Sequence, residues 1–176
     1  MRPIFVVSLI LILSLLHPPT TSANFETSLK FFCSRTSYFN LCVRSIKETA
    51  PRLRRLNVNT VLAVLMRAAD VKAREGKSFA LKLAKHSRYN ARTRELLRDC
   101  ADFYDTALGN LAAAGRAIRS GDAGTRDAMM SSAISNLGTC EDGFSEFFIK
   151  SPLADRTRVL KYMVDNCLAI AGMRRP

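Results

Sequence analysis

Apolar positions recur along this chain at steps of three and four, the spacing of one helix face. Nowhere do they alternate in the step of two that marks a half-buried strand. Leu96, Cys100, Phe103, Ala107, Leu111, Ala114 and Ile118 predict a helix over about 93–119, broken by Ser120-Gly121-Asp122-Ala123-Gly124. Val61, Leu62, Leu65, Ala68, Ala69, Phe79 and Leu83 predict an earlier one over about 57–88. Gly76 weakens its middle, since glycine costs about 1 kcal/mol against alanine in a helix. Met130, Ala133, Leu137, Cys140, Phe144 and Phe147 form the inner line of a helix over about 125–148. Beyond Ser151-Pro152, Asp155 is the expected cap of a last helix lined by Val159, Met163, Cys167 and Ile170. Two shorter helices, over about 25–34 and 38–50, precede Pro51. Long amphipathic helices joined by short turns pack as antiparallel neighbours. The pattern thus predicts an all-α fold: an up-down-up-down four-helix bundle over 57–176 with an N-terminal helical hairpin extension over 24–56, one domain in all.

The first residues follow a different rule. Arg2 precedes an apolar run from Ile4 to Leu16, and Thr21-Ser22-Ala23 supplies small residues for cleavage. A run of about 13 residues is too short to span a bilayer but suits a secretory leader. Residues 1–23 are therefore expected to be a signal peptide, and the product to be secreted, in an extracellular setting. No other stretch is apolar enough to cross a membrane, so no membrane association is expected.

The chain carries 27 Lys and Arg against 15 Asp and Glu, a formal charge of +12, of which Arg2 alone falls in the leader. Such a surface favours anionic partners, acidic polysaccharide among them. Aromatic residues are hardly interleaved with the basic ones, which argues against nucleic acid. All five cysteines, Cys33, Cys42, Cys100, Cys140 and Cys167, lie beyond the leader. Secretion makes disulfides their default use, with one left over. Opposed residues in an antiparallel hairpin are equidistant from its turn, which suits Cys33 with Cys42. Cys140 has two such partners, Cys100 across the turn at 120 and Cys167 across Pro152.

Catalysis finds little support. The one histidine beyond the leader, His86, stands among Lys82, Lys85 and Arg88, a poor base for a cysteine nucleophile. The cysteines lack zinc-site spacing. Asp99, Asp102 and Asp105 fall at steps of three on a drifting helix face and read as solvated or paired with Arg98. Glu141 and Asp142 are adjacent and point to different faces. No glycine-rich phosphate loop or GxSxG is present. The sequence reads as a non-enzyme without cofactor or metal: a stapled helical scaffold that binds another molecule by its surface.

Four stretches carry a family resemblance. Cys33-x8-Cys42 encloses Thr36-x-Tyr38, Cys100-Ala101-Asp102-Phe103-Tyr104-Asp105-Thr106-Ala107 forms a second block, and Ser131-Ser132-Ala133-Ile134 runs on to Thr139-Cys140-Glu141-Asp142-Gly143-Phe144. Asp165-Asn166-Cys167-Leu168-Ala169-Ile170 is the fourth. Together they resemble the plant invertase and pectin methylesterase inhibitors over the whole chain beyond the leader. The resemblance implies disulfides Cys33–Cys42 and Cys100–Cys140, with Cys167 a free, buried thiol. It implies a reversible, non-covalent complex that covers the active-site cleft of a cell-wall (apoplastic) enzyme. Members that inhibit invertase tend to carry Pro-Lys-Phe after the turn between the second and third bundle helices. Here that place reads Gly121-Asp122-Ala123-Gly124-Thr125-Arg126. Pectin methylesterase is thus the expected partner, with acid invertase the alternative. The matching enzyme-facing positions are Asp102, Thr139 and Asp142, with Asp105 beside them. The positive charge would add electrostatic association with acidic pectin; a pectin-binding module without inhibitory activity is a further alternative.

Overall fold

The computed structural model describes residues 20–173, with side chains from Asn24 onward, so the leader expected over 1–23 falls almost wholly outside the described residues. Six helices follow one another: α1 (Thr20–Cys33), α2 (Phe39–Thr49), α3 (Val58–Ala84), α4 (Ala91–Ser120), α5 (Ala123–Glu146) and α6 (Ala154–Gly172). No strand occurs among them. Helices α3 to α6 close a ring in which each packs on the next and α6 returns to α3, an up-down-up-down bundle. Helix α2 lies against α3 and α6, and α1 folds back on α2.

Three bundle helices start alike. Asn57, Asn90 and Asp122 each accept, through Oδ1, the backbone N–H three residues on, at Thr60, Thr93 and Thr125. Each such bond satisfies a donor that the first helical turn leaves open. Helix α4 ends at Gly121, whose φ of +76° places it in the left-handed region. The Asp122 N–H then returns to Ala117 O at 2.9 Å, so one tight turn closes α4 and caps α5. The expected cap of α6 is different. Leu153, with no side-chain cap, takes that place, and Asp155 lies inside the first turn, paired with Arg158 at 2.7 Å. A carboxylate there suits the positive end of the helix dipole without bonding it.

Two levels of the bundle are fixed by polar groups. Tyr104 on α4 is fully buried, its ring against Gly76 of α3. Its hydroxyl lies 3.0 Å from Thr157 Oγ1 on α6, which is 2.7 Å from Glu141 Oε1 on α5. A carboxylate only accepts, so Thr157 donates to Glu141 and Tyr104 donates to Thr157. Burial pushes the Tyr104 hydroxyl pKa up, against the lowering effect of its Thr157 hydrogen bond. All four bundle helices meet there. Gly76, which sequence reading counts only as a helix weakness, is the small residue that admits the ring. The second level docks the hairpin. Buried Asn166 accepts the Tyr38 N–H at 3.2 Å and donates to the Tyr38 carbonyl at 3.1 Å, while Tyr38 stacks on Tyr162 at 3.8 Å.

Disulfides join Cys33 to Cys42 and Cys100 to Cys140, so Cys140 takes the partner across the Gly121 turn. Cys167 is a free thiol, fully buried, its pKa pushed up to about 12 by desolvation and then by Asp165. Phe147, expected on the inner line of α5, is 46% exposed. The helix ends at Glu146, and the chain leaves the periodic face one residue too early to bury it.

Candidate functional site

Helices α4 and α5 share the outer face of the bundle that the Cys100–Cys140 bond ties together, and a groove of about 250 Å³ runs between them. Leu96, Phe103 and the disulfide form its floor, and Asp99, Thr139, Asp142, Glu146 and Phe147 stand around it. The disulfide fixes the spacing of the two helices at this level, so these side chains occupy a rigid frame. The Thr139 hydroxyl donates to Ser135 O at 3.2 Å, which leaves its oxygen able to accept. Glu146 sits in the last turn of α5, where no basic residue offsets it. A carboxylate at that negative end of the helix is disfavoured by a few tenths of a kcal/mol. Three acids, Asp99, Asp142 and Glu146, thus line the groove against one cation, Arg92.

The four expected contact residues do not all share this groove. Thr139 and Asp142 line it. Asp102 is exposed on the outermost side of α4, outside the rim, and its carbonyl accepts the Thr106 hydroxyl at 3.0 Å. Asp105 turns the other way and pairs with Lys77 of α3 at 2.7 Å. Steps of three carry successive residues backwards around a helix by about 60° each. Asp99 thus faces α5 while Asp105 faces α3, and pairing of these acids with Arg98 is replaced at Asp105 by a pair across helices. Asp99 is the acid that sequence reading leaves out of the site. Its place at the step before Phe103, which faces α5, is the signal that finds it. His86 is exposed.

The loop after α5 adds an aromatic edge. Arg92 lies 4.5 Å over the Phe147 ring. Phe148 is 97% exposed and holds φ at +54°, the left-handed region that favours glycine. The Ile149 N–H returns to Phe144 O at 3.0 Å, so Phe148 occupies the position after a helix where glycine is the usual residue. Both backbone and solvation disfavour a phenylalanine there. No group of His, Cys, Asp or Glu among the described residues is arranged to hold a metal ion. The arrangement offers acceptors and an apolar edge for a surface contact, with no nucleophile paired to a base.

The comparisons agree with this architecture. A family model described as plant invertase/pectin methylesterase inhibitor matches residues 27–170, and the chain belongs to that family. A mutant form of a pectin methylesterase inhibitor from Arabidopsis superposes with a TM-score of 0.67 at 19% identity, covering 82% of this chain and 95% of that one. A pectin methylesterase inhibitor from Arabidopsis thaliana gives 0.63 at 18%, covering 85% and 97%. At such identities the likeness is one of fold. No curated protein sequence matches the chain significantly. No helix of the described residues is long and apolar enough to cross a membrane.

Proposed function

We propose that this chain is a secreted inhibitor of pectin methylesterase rather than an enzyme, acting outside the cell, in the wall. It would form a reversible, non-covalent complex in which the α4–α5 face covers the enzyme's active-site cleft and so limits pectin de-esterification. The observation that carries this reading is the placement of Thr139 and Asp142 together on one lip of a disulfide-fixed groove. Asp99 joins them at that groove, and Asp102 extends the surface outward. Asp105 contributes less, since Lys77 already neutralises it. The turn where invertase inhibitors tend to carry Pro-Lys-Phe is here occupied by Gly121 and the Asp122 cap, which favours the esterase as target.

The test is a titration of the purified chain, leader removed, against a pectin methylesterase and separately against an acid invertase. Stoichiometric loss of esterase activity with invertase untouched is the expected result. Loss of invertase activity alone reverses the assignment of target, and loss of neither removes the inhibitor reading.

A further inference from the structure

Across the bundle from the α4–α5 face, α3 and α6 bound a shallow, open groove of about 620 Å³ whose apolar lining is exposed Val71 and half-buried Phe79. It continues past Val71 into a second hollow of about 460 Å³, where α2 joins α3 and α6. Arg67 and Lys82 mark its two ends along α3, and fifteen residues of helix make it about 22 Å long. Six basic and two acidic side chains line the two parts together. Lys72 is paired with Glu75, and Arg74 with Asp70. Arg44, Arg67, Lys82 and Arg156 pair with no carboxylate among the described residues. Arg156 instead lies 4.2 Å over the Phe79 ring. An elongated, shallow groove thus presents unneutralised cations along its length beside apolar Val71 and Phe79.

We propose that this groove binds a linear polyuronide, a sugar chain that carries carboxylates along its length. The charge is complementary, the length takes several sugar rings, and the apolar C–H faces of the rings match Val71 and the edge of Phe79. A single small anion would use one cation and leave the others idle. Bases of a single-stranded nucleic acid would need open aromatic faces, and the one at Phe79 is covered by Arg156. Each exposed cation–carboxylate contact is weak alone, so binding depends on several acting together and falls as salt screens them. The groove lies opposite the face assigned to the esterase, so the two activities can be measured apart, and neither needs the other.

The test measures binding of a de-esterified polygalacturonate oligomer to the chain without its leader, by calorimetry at low salt. Reversal of two groove cations, Arg67→Glu with Arg156→Glu, is expected to weaken binding at least tenfold. Arg116→Glu with Arg119→Glu on α4 makes the same change in net charge and should alter it less than twofold. The milder Arg44→Ala with Lys82→Ala, expected to cost about threefold, keeps the test valid if the charge reversals disturb folding. A fully methyl-esterified oligomer should not bind. Equal losses from both reversals, undiminished binding of the esterified chain, or equally tight binding of phosphatidylserine vesicles would each overturn the proposal. Esterase inhibition by the groove variants should match that of the parent.

Discussion

Gly76 lies so close under Tyr104 that a β-carbon there would stand 2.2 Å from the ring's Cε1. The ring is fully buried and its hydroxyl is held by Thr157, so it has nowhere to retreat. Gly76→Ala gains about 1 kcal/mol of helix propensity but overpacks the core, an effect of about 1–3 kcal/mol in the other direction. With close contact to a fixed ring the clash wins, and denaturant melting should show a net loss of about 1 kcal/mol. Tyr104→Phe keeps the ring and loses the hydroxyl, so its cost should stay near 1 kcal/mol. A Gly76→Ala variant as stable as the parent would contradict this packing.

Asn166 connects the hairpin to α6 by two hydrogen bonds to the Tyr38 backbone. Asn166→Ala strips both and should destabilise by about 2 kcal/mol. The effect should be local: limited proteolysis should cut near Tyr38 sooner while α4 and α5 remain protected. Uniform loss of protection across the bundle would show that the hairpin and bundle melt as one unit.

Removing the second staple with Cys100→Ser and Cys140→Ser opens a loop of about 40 residues. The loop-entropy account expects a loss of about 4 kcal/mol, measurable by comparing denaturation midpoints. A double variant as stable as the parent would mean that the disulfide only decorates an already rigid face.

Cys167 gives a pH signature. Its folded pKa is raised to about 12 from an ordinary value of 9.0, because the buried thiolate is desolvated. The folded state therefore favours the protonated thiol. That contribution is fully present below pH 9 and is lost as pH rises toward 12, with a slope of up to about 1.4 kcal/mol per pH unit. Comparing the parent with Cys167→Ala between pH 8 and 11 isolates this slope from the titration of other groups. The native thiol should also resist alkylation at pH 8 and react once the chain is unfolded.

Phe148 sets stability against binding. Phe148→Gly relieves a left-handed residue and should raise stability by about 1 kcal/mol. If the exposed ring contacts the target, the same variant should inhibit less well. Greater stability with unchanged inhibition would place the ring outside the interface.

Much of the fold was legible because its signals are local. The three-and-four spacing marks α3 to α5, and the Gly121 break marks the turn between α4 and α5. The starts of α4 and α5 lie two residues before the expected ones, because the capping Asn90 and Asp122 precede the apolar lines, and α1 starts at Thr20, about five residues early. What stayed hidden depends on how helices meet. Tyr104 is absent from the inner line drawn through Cys100, Phe103 and Ala107 because it points to α3 and α6, a second buried stripe of the same helix. Lys77 with Asp105 is a pair between helices, which no spacing within α4 discloses. Of the candidate site, Thr139 and Asp142 follow from family resemblance, whereas Asp99 and Phe148 emerge only once the helix faces and the end of α5 are seen.

The most direct measurement is hydroxyl-radical footprinting of the chain alone and in a stoichiometric mixture with pectin methylesterase. Phe103, Phe147 and Phe148, around and beside the α4–α5 groove, are expected to become protected from oxidation, while Phe79 on α3 is unchanged. Protection of Phe79 with the α4–α5 aromatics still oxidised, or no protection at any of them, would contradict this interface.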